Sequence, residues 1–154
     1  MSRAFTREID DAPPPPVPER QISAARNLVT FDGARQIEKM IAALIAQIQA
    51  SIDTDAIAML KRDLRYWEAR RASMEVVEPI LGPAVVKFGT TATIERGGKK
   101  QELRIVGEDE ADPSAGAIAW TSPLARALDG ASPGDIVEFQ VAGREEEIVV
   151  VSVR

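Results

Sequence analysis

The chain has 154 residues, 45% of them apolar, with no cysteine, no histidine and a formal net charge of −5. That composition supports one domain, or one small domain with an appendage. It removes disulfides, Cys/His zinc sites, a cysteine nucleophile and a histidine general base. The acidic excess falls within residues 78–154, which hold thirteen acids against eight bases, so no direct specific DNA contact is expected. No apolar run approaches the length of a membrane span, residues 1–20 lack the apolar core of a signal peptide, and a cytoplasmic location is expected.

Residues 1–27 read as a disordered tail. Pro13 to Pro16 and Pro18 exclude helix and central strand, and few apolar residues flank them. The tract prefers polyproline II, a semi-rigid spacer. A proline-rich ligand is the alternative use of such a segment.

Residues 28–77 read as an antiparallel helical hairpin, a short coiled coil. Thr30 is placed to cap the first helix, with Asp32 in its first turn. Ile37, Ile41, Leu44 and Ile48 form one apolar stripe. The second helix opens near Thr54 or Asp55, and Ile57, Leu60, Leu64, Trp67, Arg71 and Met74 step by three and four. That is a heptad seam with Arg71 as its one polar member. Two stripes joined by Ser51 to Thr54 are buried by folding back on each other.

Pro79, Gly82 and Pro83 mark a hinge, and residues 78–154 read as an antiparallel β domain with one short helix. Val85 to Glu95 has strand composition, Gly97-Gly98 suits a hairpin turn, and Lys100 to Val106 returns. An acidic loop, Glu108 to Gly116, precedes a short strand at Ala117 to Trp120. Ser122-Pro123 is a helix start, serine as cap and proline at the first helical position, and Gly130 ends that helix. Pro133-Gly134 turns the chain into a final hairpin, Ile136 to Val141 and Glu147 to Val153, about Gly143. Helices set beside strands in this order make the fold class α+β.

One set of residues is a candidate for function on its chemistry alone. Asp53 and Asp55 are carboxylates at the hairpin tip. They could chelate a cation, and they equally suit the cap and first turn of the second helix. The residues of the Ser122 helix read first as packing. Leu124 and Leu128 suit the core, and Arg126 suits the surface.

The ordered segments RIVGEDEADPSAGAIAW (Arg104 to Trp120) and TSPLARALDGASPGD (Thr121 to Asp135) resemble the C-terminal domain of the bacterial Gre transcript-cleavage and elongation factors, and the resemblance extends from about Leu28 to Val153. It implies an FKBP-like C-terminal domain that docks at the rim of the secondary channel of RNA polymerase, with Ser122, Pro123, Leu124 and Arg126 as docking candidates. In that family a coiled coil enters the channel, and an Asp and a Glu at its tip help to hold a metal and water at the polymerase's own active site. The resemblance therefore implies no cofactor beyond a Mg²⁺ shared with the polymerase, and a factor that is not itself an enzyme.

The tip departs from the family pattern. Ala50 to Ala58 reads ASIDTDAIA, which supplies Asp53 and Asp55 but no D-x-x-E pair. The hairpin is also shorter than the family's by roughly one to two heptads, which removes on the order of 10–20 Å of reach. These departures point to a polymerase-binding regulator that does not stimulate cleavage. The competing readings are an active cleavage factor using Asp53 and Asp55, and a short-coil protein like the regulators of nucleoside diphosphate kinase. A prolyl isomerase is a fourth, carried only by the FKBP-like fold.

Overall fold

The computed structural model describes residues 13–154. Its first large element is the helical hairpin, α1 (Phe31–Ala50) and α2 (Thr54–Ser73). Thr30 caps α1, its Oγ1 accepting from the Gly33 N–H at 3.1 Å. Asp53 caps α2, its Oδ1 accepting from Asp55 N–H at 3.0 Å and Ala56 N–H at 3.4 Å. Each cap satisfies backbone donors that the helix itself leaves orphaned.

Val29, Ile37, Ile41, Leu44 and Trp67 form the buried core of the hairpin, with Leu60, Leu64 and Met74 packed against it. Ile37, Ile41, Leu44, Leu60, Leu64, Trp67 and Met74 meet as the stripes require, with one correction. Arg71 is exposed and pairs with Glu38 at 3.5 Å, whereas Arg70 is the buried arginine, 2% exposed. From Trp67 both i+3 and i+4 lie on the same face of a helix. Position 70 goes inward because acids of the C-terminal domain meet it there.

The base of the hairpin is not helical. Asn27–Val29 (β1) and Met74–Val76 (β2) pair in parallel as a two-stranded ribbon, and the Val77 N–H donates to the Val29 carbonyl at 2.9 Å. The helices therefore begin and end inside the 28–77 span, α1 just after the Thr30 cap and α2 at Ser73, with the ribbon closing the base.

The C-terminal domain is a five-stranded sheet of order β5-β4-β3-β7-β6, built from β3 (Thr91–Arg96), β4 (Lys99–Val106), β5 (Ala117–Ala119), β6 (Ile136–Val141) and β7 (Arg144–Val153). Three pairings are antiparallel, and the short edge strand β5 runs parallel to β4. The helix α3 (Pro123–Leu128) lies against this sheet, its Ala125 and Leu128 in a core with Val86, Ile94, Ile105, Ile148 and Val150. This is the α+β arrangement expected. The β3–β4 turn uses Gly97 and Gly98 at φ +57° and +73°, the two positive-φ positions of a tight hairpin.

Residues 85–90 correct the expectation of a strand from Val85. β3 starts only at Thr91, because the Val86 main chain is captured elsewhere. Its N–H donates to the Ala131 carbonyl and its carbonyl accepts from Gly130 N–H, at 2.9 and 2.8 Å. Val86 is thereby fully buried at the end of α3 rather than placed in the sheet.

The expected disordered tail lies partly outside the described residues, since residues 1–12 are not described. Residues 13–23 carry no helix or strand, yet they follow α2. Pro14, Pro15, Pro16 and Val17 line a surface pocket with Asp55, Ala58 and Met59, and Glu19 pairs with Arg65 at 2.5 Å.

Candidate functional site

The hairpin tip is the first site that the sequence singles out. Ser51 to Asp53 make the turn between the helices, and Ile52 at its apex is fully exposed. Asp53 and Asp55 stand at the start of α2, Asp53 as its cap and Asp55 in its first turn. Asp53 Oδ1 is turned into its own helix by the two N–H groups it accepts. Among the described residues no group of three or more acids is assembled to hold a metal ion. The tip donors thus fit a helix cap better than a cation cage, which needs several oxygens converging on one point.

The second site is the face around α3. Ser122 caps that helix, its Oγ accepting from Ala125 N–H at 3.3 Å, and Pro123 occupies the first helical position. Pro123 and Arg126 are exposed, Leu124 is half-buried and Ala125 and Leu128 are buried. The i, i+3 and i+4 spacing therefore splits the helix as amphipathicity dictates: an inner face of Ala125 and Leu128, and an outer face that includes Arg126. Beside it lies a cleft of about 460 Å³ lined by Val86, Phe88, Ile105, Trp120, Ala125 and Arg126. The Trp120 indole N–H is buried without a protein acceptor.

The third arrangement was not read from the sequence as a site. The acidic turn Glu108–Glu110 is the joint between hairpin and β domain. Arg70 Nε donates to Asp109 Oδ2 at 2.5 Å, Arg70 lies 3.6 Å from Glu108, and its other arm donates to Asn27 Oδ1 at 2.6 Å. The Tyr66 hydroxyl donates to Asp109 Oδ1 at 2.5 Å. Burial, then the hydrogen bond to Asp109 and its charge, pushes the Tyr66 hydroxyl up to about 12. Glu110 reaches the first turn of α1: its Oε2 accepts from the Thr30 and Gly107 N–H groups, both at 3.0 Å, and its Oε1 accepts from the Thr30 hydroxyl. The signal available in the sequence was electrostatic, three consecutive acids in a chain whose second helix ends on Arg70 and Arg71. The pairing partner of a loop is not a local property, so spacing alone did not reveal it.

Residues 82–154 match the family model described as transcription elongation factor, GreA/GreB, C-terminal. The C-terminal domain belongs to the GreA/GreB family. Among curated proteins, a transcription elongation factor GreA of Cereibacter sphaeroides is 44% identical over 89 residues, covering 56% of this chain and 59% of that protein. A transcription elongation factor GreB of Neisseria meningitidis is 40% identical over 97 residues, covering 61% of this chain and 60% of the relative. The chain spans about three fifths of the length of the curated relatives it matches. The solved structure of a prokaryotic transcription elongation factor GreA/GreB from Nitrosomonas europaea overlays with a TM-score of 0.42 at 22% identity, covering 84% of this chain and 98% of that one, too loose a likeness to bear on function.

The Gre relatives correct one expectation. The chain was placed outside enzymes because the polymerase supplies most of the machinery. Its relatives are named transcription elongation factor GreA, and that kinship overturns the placement. Among the described residues no helix is long and apolar enough to cross a membrane.

Proposed function

We propose that this chain docks on RNA polymerase through residues 78–154 and holds its short hairpin toward the secondary channel, where it acts by occupancy and by competition with other channel-binding factors. The observation that carries docking is the match of residues 82–154 to the GreA/GreB C-terminal domain. Ser122, Pro123, Leu124 and Arg126, with the adjoining cleft, are the proposed contact. The location that follows is that of the polymerase, the cytoplasm, and RNA polymerase rather than DNA is the partner.

The hairpin is proposed not to stimulate transcript cleavage. Two-metal chemistry needs carboxylates placed within a fraction of an ångström of the cation they fix. The tip offers only Asp53, which caps α2, and Asp55. No step through a shared Mg²⁺ is therefore assigned to them. The interlocked acids at Glu108, Asp109 and Glu110 support the positional half of the reading, because they fix the direction in which the hairpin leaves the docking domain.

The test is binding to core RNA polymerase, alone and against GreA, followed by transcript release from backtracked complexes. Binding that GreA displaces, with release no faster than polymerase alone, supports the reading. Strong release abolished by removing both tip carboxylates replaces it with an active cleavage factor.

A further inference from the structure

We infer that residues 14–23 are a strap seated along α2 that widens the hairpin when it closes on it and narrows the hairpin when it leaves, and so gates its entry into the channel. The obstruction rests on the docking reading above, whereas the seating of the strap stands on contacts within this chain.

The strap follows α2 from tip to base. Val17 and the prolines before it share a surface pocket with Asp55 and Met59 near the tip. Next, Glu19 takes both Arg65 Nε and Nη2, at 3.0 and 2.5 Å. The Arg20 guanidinium lies 3.8 Å from the centre of the Tyr66 ring, a cation–π stack, with Asp63 at 3.8 Å. Finally the Ser23 hydroxyl donates to Glu108 Oε1 at 3.0 Å, which belongs to the acidic turn of the β domain. The lengths agree. Pro14 to Arg20 in polyproline II spans about 19 Å at roughly 3.1 Å per residue, and Asp55 to Tyr66 in a helix spans about 17 Å at roughly 1.5 Å per residue. The proline tract thus has the pitch to track the helix without coiling.

Its attachments suit release. Glu19 and Arg65 keep 61% and 53% of their side-chain surface in solvent, and exposed pairs of this kind contribute little net and weaken with salt. Prolines lose little chain entropy on seating, since their φ is already fixed. The seated strap adds a third layer beside Asp55 and Met59, at the end that must enter a channel first. Its anchor also feeds the domain joint, since the Tyr66 ring under Arg20 donates its hydroxyl to Asp109.

The absence of native cysteine allows a direct test on the full chain. Val17→Cys with Met59→Cys is treated with a bis-maleimide whose spacer is cleaved by reductant. A seated strap links within one molecule in high yield, and adding Glu19→Ala and Arg20→Ala lowers that yield several-fold. A yield that ignores those two changes overturns the seating. The linked protein is then compared with the same sample after reduction for binding to core RNA polymerase. About a tenfold gain on reduction is expected, with a chain lacking residues 1–20 binding at least as well. Equal binding of linked and reduced forms overturns the gating. Absence of binding in every form removes the docking reading and the obstruction with it, while the linking yield still decides whether the strap is seated.

Discussion

Arg70, 2% exposed, meets Asp109, whose side chain is 10% exposed, across the joint of the two domains at 2.5 Å. A charge withdrawn from water is tolerable only when its partner and hydrogen bonds are in place. Here the guanidinium has Asp109 on one arm and Asn27 on the other. Arg70→Ala leaves Asp109 facing the joint uncompensated and is expected to cost about 3–5 kcal/mol. Arg70→Met with Asp109→Leu removes both charges and is expected to recover most of that loss. Urea unfolding of the two variants checks the pair, and a loss under 1 kcal/mol for Arg70→Ala sinks the idea that the joint depends on it.

Tyr66 gives the joint an alkaline limit. Its hydroxyl is raised from about 10 to about 12, first by burial and then by Asp109. An acid whose folded value lies above its unfolded one binds its proton more tightly when folded. The stability this provides is fully present below pH 10 and is lost as pH rises toward 12. Tyr66 is half-buried, so screening by solvent reduces the magnitude. Tyr66→Phe is expected to be less stable than wild type at pH 8, through loss of the bond to Asp109, and the gap is expected to close between pH 10 and 12. Parallel stability curves across that window would falsify this role.

Gly33 and Glu110 are coupled by space. A Cβ on Gly33 would collide with the Glu110 carboxyl group, which is held there by the Thr30 and Gly107 N–H groups. Alanine in a helix is ordinarily better than glycine by about 1 kcal/mol. Gly33→Ala is nevertheless expected to destabilise, by about 1–3 kcal/mol, because it evicts a carboxylate that satisfies buried donors. In a Glu110→Ala background the same substitution is expected to be neutral or stabilising. Additive effects of the two changes in thermal unfolding contradict the coupling.

What the sequence made legible was local chemistry. Thr30, Asp53 and Ser122 cap their helices as their positions predict, and Gly97-Gly98 turns its hairpin, because each acts within three residues of itself. The seam around Trp67 follows from periodicity, and Trp67→Ala should cost about 3–5 kcal/mol as a loss of buried aromatic volume. What stayed hidden depended on distant partners. Arg70 rather than Arg71 turns inward because Asp109 waits there, thirty-nine residues on. Val86 leaves the sheet because Gly130 and Ala131 hold its main chain. The three-residue ribbon of β1 and β2 is too short to show a period of two. The proline-rich segment looked unattached because the partners of Glu19 and Arg20, namely Arg65 and Tyr66, lie far along the chain.

The tip separates capping from catalysis in one substitution. Asp53 Oδ1 accepts from two N–H groups at the start of α2. Asparagine caps a helix about as well as aspartate, whereas alanine costs about 1 kcal/mol. Asp53→Asn therefore removes the charge and keeps the helix end, while Asp53→Ala removes both. If the hairpin works by occupancy, Asp53→Asn with Asp55→Asn competes with GreA for polymerase as wild type does, and transcript release from backtracked complexes stays at the level of polymerase alone in both proteins. Asp53→Ala is expected to lower hairpin stability without changing release. Inserting a longer family-type tip, with its Asp and Glu, after Ala50 should create release, since it restores both the spacing of the carboxylates and about 10–20 Å of reach. Robust release by the natural protein, lost in the double asparagine variant while binding persists, would mean that the tip carboxylates act on the polymerase's metal after all.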